Sequence, residues 1–352
     1  MSPKKLLIVD DSPMVRRSIA ELFAGDGLFA VVGEAENGVE ALHAVTQLKP
    51  DVITMDISMP GMDGLTAVKH IMIKSPTPIV MISSLTHEGA AVTFDALRYG
   101  AVDIISKPSA VGNHIGMDEQ AADIRSKIEF ASDVEVEAIK YIRQRLPASA
   151  TASEVPNAAP QRVVALGAAE GGYGALLKII PQLRAGSCSA YMVTLYASPS
   201  HIEAFASYLN RYSDLTVKVA EHDDVLRPGV CYLNAGSSYM SLHQYGSSLV
   251  LHVSPAPFAS RKGSIDMMFF SVADVMEAGS VGVVLSGCGV DGTEGLEEVI
   301  RMGGRGIVQD QKTALSRGMI ESACQLCLSA ELMADRDIAS FLQNYKTHEQ
   351  GA

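Results

Sequence analysis

The sequence has no basic run and no surplus of positive charge. Lys and Arg total 28 against 40 Asp and Glu, a formal charge of −12 over 352 residues. A phosphate-binding surface needs a cationic patch, so neither nucleic acid nor an anionic membrane is an expected partner. No stretch approaches the ~18 continuous apolar residues of a membrane-crossing helix. Met1-Ser2-Pro3-Lys4-Lys5 leads directly into a strand-like run, leaving no room for a signal peptide, and a cytoplasmic chain is expected. Cysteine is scarce: Cys188, Cys231, Cys288, Cys324 and Cys327, all in the second half. An odd number without a secretory context does not make a disulfide framework. Cys324-Gln-Leu-Cys327 has half-zinc-site spacing, but no second Cys or His pair completes it, so two buried helix thiols are expected. The remaining histidines, among them His43, His70 and His222, carry no ligand spacing and are expected at the surface or as caps. Gly and Pro are ordinary in number, and no short repeat is present, which excludes collagen-like and low-complexity chains.

What remains is 47% hydrophobic and 19% charged, a composition that buries a core, in a chain long enough for two domains. The first third alternates short apolar runs with amphipathic segments. The runs are Leu6–Val9, Ala30–Val32, Asp51–Met55, Pro78–Ile82 and Val102–Ile105, and the first helix-like stretch puts Met14, Ile19, Leu22 and Phe23 on one face. Short continuous runs of this kind predict a parallel sheet covered on both faces, with ligands at the carboxyl ends of its strands. From about Met117 to Leu146 the pattern is helical, with Ile124, Ile128, Phe130, Val134, Ala138, Tyr141 and Ile142 as face residues. Pro147 to Gln161 is rich in Ala, Ser, Thr and Pro and reads as a linker. A second alternating pattern begins at Arg162, with strand-like runs at 163–166, 190–196, 215–220, 230–233, 248–253 and 281–285. The expected architecture is α/β, with two doubly wound parallel-sheet domains joined by a helical linker. The boundaries fall at 1–130, 131–160 and 161–348.

Asp10-Asp11, Asp56, Ser83 and Lys107-Pro108 fall at the ends of four predicted strands. Three carboxylates in one crevice repel unless a proton or a divalent cation neutralises them, and hard oxygen donors suit Mg²⁺. A lysine and a hydroxyl on the rim then fit an incoming phosphoryl group, with Asp56 as nucleophile. Acids at strand ends that are merely solvated are the alternative.

The segment Lys4–Pro108 resembles a response-regulator receiver domain of the CheY type. The resemblance rests on Val9-Asp10-Asp11-Ser12, Met55-Asp56-Ile57-Ser58-Met59-Pro60-Gly61-Met62-Asp63-Gly64, Ser83 and Lys107-Pro108. It implies a flavodoxin-like fold with Asp56 phosphorylated. Mg²⁺ would be held by Asp10, Asp11, Asp56 and the backbone carbonyl of Ser58, and Ser83 and Lys107 would contact the phosphoryl group. One position departs from the pattern: Ile104 stands where the family usually has an aromatic switch residue.

Further on, Gly167-Ala168-Ala169-Glu170-Gly171-Gly172 sits between a strand and a helix, where a sharp turn would present a nucleophile. No Ser, Cys or Thr is there. Leu285-Ser286-Gly287-Cys288-Gly289-Val290-Asp291-Gly292 is a second strand ending in a Gly-rich turn with an acid. These motifs, with Arg227–Leu233, Ser264–Phe269, Val308-Gln309-Asp310 and Gly318-Met319, resemble the effector domain of the chemotaxis protein-glutamate methylesterases, the CheB family, on a Rossmann-like α/β fold. Carried over by position, the family's triad Ser falls on Ala169, the neighbouring Thr on Glu170 and the His on Tyr196. Only the acid is kept, as Asp291, with Cys288 and Gly289 as oxyanion-pocket residues. Ala169 has no heteroatom to attack an ester, and a tyrosine with a reference pKa of about 10 is a poor general base.

The resemblance therefore implies a phosphorylation-controlled regulator of a chemotaxis-like pathway. It would be served by a CheA-type histidine kinase and directed at a receptor's cytoplasmic region or another regulator, acting by binding. The alternatives are an active methylesterase or glutaminase with a relocated nucleophile at Cys288 or near Ser200 and His201, and a phosphate sink for the kinase. A small-molecule binder using the former triad cleft is a further alternative.

Overall fold

The computed structural model describes residues 2–25, 27–83, 87–107, 114–136, 159–186, 188–256 and 263–344. The chain divides into two compact units, Met1–Gln144 and Arg145–Ala352.

The first unit is a five-stranded parallel sheet of β1 (Lys4–Val9), β2 (Phe29–Ala35), β3 (Val52–Asp56), β4 (Ile79–Ser83) and β5 (Asp103–Ser106), in the order β2-β1-β3-β4-β5. Its helices are α1 (Pro13–Leu22), α2 (Gly38–Leu48), α3 (Gly64–Lys74), α4 (His87–Arg98) and α5 (His114–Ser132). Leu6, Leu7, Ile8 and Val9 have no exposed surface, as a strand covered on both faces requires. The chain runs from β1 out to β2 and returns past β1 to β3. That reversal opens a crevice beyond the carboxyl ends of β1 and β3.

Two expectations are corrected here. Met14 is 67% exposed, and its place on the buried face of α1 is taken by Arg16. The cause is electrostatic: β2 and the turn after it present Glu34 and Glu36, each 2.8 Å from the Arg16 guanidinium, whose Nη1 also donates to Asp10 O at 2.8 Å. The helix predicted to run through to residue 146 ends instead at Ser132, with Ile124 and Ile128 buried and Val134 beyond its end. Asp133 and the β-branched Val134 are weak helix formers. Ala138, Tyr141, Ile142 and nearly all of the Ala/Ser/Pro-rich segment lie outside the described residues.

The second unit is a seven-stranded parallel sheet of β6 (Arg162–Ala168), β7 (Ser189–Leu195), β8 (Thr216–Val219), β9 (Val230–Ala235), β12 (Ser280–Val284), β13 (Arg305–Gln309) and β14 (Glu331–Met333), in the order β14-β13-β12-β6-β7-β9-β8. An antiparallel hairpin, β10 (Ser238–Tyr245) and β11 (Ser248–Pro255), stands apart from it. The helices are α6 (Gly172–Ile179), α7 (Pro199–Tyr212), α8 (Ser264–Met276), α9 (Thr293–Arg301), α10 (Gly318–Leu326) and α11 (Asp335–Asn344). The run at 248–253 thus joins the hairpin rather than the parallel sheet. Its Leu249 and Leu251, with Met240 and Leu242, are buried, and Ser271 Oγ of α8 accepts from Leu242 N at 3.0 Å. The strand order reverses at β6, flanked by β7 and β12, so this crevice lies beyond Ala168 and Val284. Cys327 is buried just past α10, whereas Cys324 is partly exposed, which corrects the expectation of two buried helix thiols.

Candidate functional site

In the first unit the sheet brings the predicted residues together. Asp10 and Asp56, at the ends of β1 and β3, are almost fully buried, while Asp11 is exposed. One oxygen from each lies within 4.8 Å of the others. Gly64 opens α3 against the end of β3, where a Cβ would collide with Asp56 O. Ser12 N donates to Asp10 Oδ1 at 2.9 Å and Ile57 N to Asp56 Oδ1 at 2.8 Å. The other two oxygens, Asp10 Oδ2 and Asp56 Oδ2, are buried without a well-directed hydrogen bond, and the Lys107 ammonium lies 3.0 and 2.9 Å from them. Burial pushes the Asp56 carboxyl above its ordinary range; Lys107 opposes and the charge of Asp10 adds. Burial works against the Lys107 charge, but Asp56 and Asp10 outweigh it and raise its pKa.

Buried oxygens of this kind, on hard anionic donors, fit a small divalent cation such as Mg²⁺. Ser58, two residues past Asp56, is exposed on the same turn. Ser83 is buried at the end of β4, where its Oγ accepts from Thr93 Oγ1 at 3.2 Å. Ile104 is fully buried on β5. Pro108 lies outside the described residues.

In the second unit, Ala169 follows β6 and is 4% exposed. Its N–H donates to Ser286 O at 2.9 Å, which stitches the two loops of the crevice together. Gly171 turns the chain into α6 at φ 75, a left-handed conformation that favours glycine, with Leu315 and Ser286 where a Cβ would point. Glu170 reaches across the crevice: its Oε2 accepts from Cys288 N at 3.0 Å. Ser286 Oγ donates to Glu170 O at 2.8 Å. Cys288 is exposed, with Sγ 3.1 Å from Ser316 Oγ, and Gly289 N is packed beside Gly318.

Tyr196 follows β7, and its hydroxyl donates to Asp291 Oδ2. Asp291 also accepts from Ile265 N at 3.0 Å, Asp266 N at 3.0 Å and Gly292 N at 2.9 Å. Burial and the Asp291 charge raise the Tyr196 pKa far above the ordinary phenol value. Burial also raises the Asp266 carboxyl, with Gly295 N–H opposing and Asp291 adding. Ser198 caps α7 ahead of Pro199, accepting from His201 N at 3.4 Å, with Ser200 Oγ 3.2 Å from Ser198 Oγ. Ser200 and His201 therefore belong to a helix start, and His201 is buried there.

Sequence reasoning missed Arg16, the Glu170–Cys288 bond and Asp266. The signal for the second was present, a carboxylate beside a glycine-rich turn, but the loop that it reaches is 118 residues away.

A CheB methylesterase family model matches residues 164–342, and a response regulator receiver domain model matches residues 6–115. The chain belongs to the CheB methylesterase family. A relative from Pyrococcus abyssi, named protein-glutamate methylesterase/protein-glutamine glutaminase, is 36% identical over 323 residues, 91% of this chain and 88% of its own. A Xanthomonas oryzae pv. oryzae relative of the same name, numbered 2, is 35% identical over 339 residues, 94% of each chain. The crystal structure of the Thermotoga maritima CheB methylesterase catalytic domain is 25% identical. It covers 51% of this chain and 96% of that one, at a TM-score of 0.50. The order of the units, receiver then methylesterase, is that of this chemotaxis family, and both units are α/β folds on parallel sheets. Among the described residues no helix is long and apolar enough to cross a membrane.

Proposed function

We propose that the chain is a response regulator of a chemotaxis-like two-component pathway, phosphorylated on Asp56, whose methylesterase-type unit acts by binding rather than hydrolysis. Asp56 Oδ attacks the phosphoryl group of a CheA-type kinase's phosphohistidine, so that a P–O bond forms as the P–N bond breaks. Lys107, within 3 Å of two carboxylates, offers its charge to the phosphoryl oxygens, and Ser83 a hydroxyl. Asp10, Asp11, Asp56 and the Ser58 carbonyl are the residues that would hold Mg²⁺, which when bound neutralises carboxylate and phosphoryl charge. With Ile104 in place of an aromatic switch residue, the readout on this face comes from the rearrangement of Lys107 and Ser83.

The observation that carries the binding half is the Glu170–Cys288 contact. Position 169 offers no nucleophile. The neighbouring carboxylate already occupies the backbone N–H that an ester oxyanion would need, and sets a negative charge at that spot. The Tyr196 hydroxyl donates to Asp291, as a triad histidine would, but unlike an imidazole it has no second, basic atom to take a proton from a nucleophile. The names of the relatives favour the other reading, an active methylesterase or glutaminase with a relocated nucleophile. Cys288 is the group it would use, but Ser316 Oγ beside it is no base at neutral pH.

Labelling by a cognate phosphorylated kinase tests the first half: Asp56→Ala should abolish it, and persistent labelling would refute the assignment. Methanol release from a methylated receptor fragment tests the second, and none is expected.

A further inference from the structure

The β10–β11 hairpin does something that no spacing in the sequence announces. Its register sets Ser241 opposite His252 and His243 opposite Val250, so His243 and His252 are diagonal neighbours on one face. Their rings stack at 4.2 Å with 28° between planes. His222, in the loop after β8, has its ring centroid 4.8 Å from that of His252, at 34° between planes. Asp223, next in sequence, is held at φ 66, a left-handed conformation uncommon for a residue with a side chain, and its N–H donates to Leu251 O at 2.9 Å. One ligand atom each from His222, Asp223 and His252 falls within 4.8 Å of the others.

We infer that His222, Asp223 and His252 form a surface site for a divalent transition-metal ion of the zinc type. Two imidazoles and a carboxylate are a donor set that suits Zn²⁺, with a fourth position left to water or a further ligand. His222 Nε2 is already 3.6 Å from Asp223 Oδ1, close to the about 3.3–3.5 Å between donors on a tetrahedral zinc. The outer contacts are those that orient metal-ligating histidines. His222 Nδ1 lies 3.2 Å from Val253 O and also 3.3 Å from the Val253 N–H, so it can donate to the carbonyl or accept from the amide; the site uses the first tautomer, in which Nε2 keeps its lone pair toward Asp223. The Tyr245 hydroxyl lies 3.2 Å from His252 Nε2, and His243, whose Nε2 is 2.9 Å from Ser241 Oγ, braces the His252 ring from behind. The site is formed by the loop after β8 and the hairpin strand β11, apart from the Ala169–Asp291 crevice in sequence and in ligands, and is independent of the function proposed above.

The test is calorimetric titration of the full chain with ZnCl₂, after chelator stripping, with thiols alkylated and excess Mg²⁺ present to saturate Asp10, Asp11 and Asp56. One Zn²⁺ should bind per chain. His222→Ala, His252→Ala and His252→Gln should each weaken it by about 100-fold or more, beyond the loss that an outer-shell change such as Tyr245→Phe brings, about 10-fold. Melting of each variant in chelator should match the parent, because His222 is exposed in the loop after β8 and His252 is partly exposed on β11. Absence of Zn²⁺ binding by the alkylated parent, or parental affinity in the His222→Ala/His252→Ala double variant, would overturn the inference.

Discussion

Tyr196→Phe separates a structural tyrosine from a catalytic one. The substitution deletes one oxygen and leaves the ring, which packs where a Cβ on Gly236 would collide with it. Asp291 loses one of four donors and keeps three backbone N–H groups at 2.9–3.0 Å. A hydrogen bond to a charged group contributes about 1.5–3 kcal/mol, and the three remaining donors keep the loss toward the lower end. The second unit, Arg145–Ala352, is of a size at which 1 kcal/mol moves Tm by about 2–4 °C. Tyr196→Phe should therefore lower the melting temperature of that unit by about 3–6 °C, measured by scanning calorimetry on the full chain. It should leave receiver phosphorylation unchanged. A Tm within about 1 °C of the parent would refute the view that the Tyr196 hydroxyl takes over the structural share of the Asp291 contacts.

The other predictions address single contacts. Lys107→Ala removes the cation beside two buried carboxylates; breaking a buried pair costs about 3–5 kcal/mol, and less here because the lysine is partly exposed. The receiver melting temperature should fall in chelator, and Mg²⁺ should raise it more in the variant than in the parent; equal Mg²⁺ shifts would contradict the assignment. Asp266 has a raised folded-state pKa, so its contribution to stability is full at acid pH and is lost as pH rises through that elevated value. Asp266→Asn still accepts from Gly295 N–H at every pH, and should flatten the fall in melting temperature between pH 5 and pH 8; an unchanged slope would contradict the burial argument. Glu170→Ala frees Cys288 N–H and removes a negative charge from the crevice, so binding of a carboxylate-bearing peptide there should strengthen; unchanged binding would contradict the occluding role.

Most of the parallel strands were legible because strands covered on both faces are continuous apolar runs, such as Leu6–Val9 and Val281–Val284. The acidic crevice was legible for a related reason. Asp10 and Asp56 end adjacent parallel strands, so sequence position maps directly onto space. What was not legible depends on closures across the chain. Arg16 reads as a polar interruption of α1 until β2 brings Glu34 and Glu36 beside it. Glu170 reads as a residue in a turn until β12 sets the Cys288 loop alongside β6. The histidines at 222, 243 and 252 have no ligand spacing; the antiparallel register of the hairpin stacks His243 on His252, and the loop after β8 brings His222 beside them. Short β14, three residues with an exposed Leu332, carries too little apolar pattern to announce itself.

The central claim, a receiver-controlled unit that binds rather than hydrolyses, is tested most directly by methanol release from a methylated receptor fragment. The full chain is assayed with and without beryllofluoride and Mg²⁺, which mimic phosphorylated Asp56, beside an active methylesterase. No release in either state is the expected result. Release that rises with beryllofluoride would contradict the account and direct attention to Cys288, Ser200 and His201.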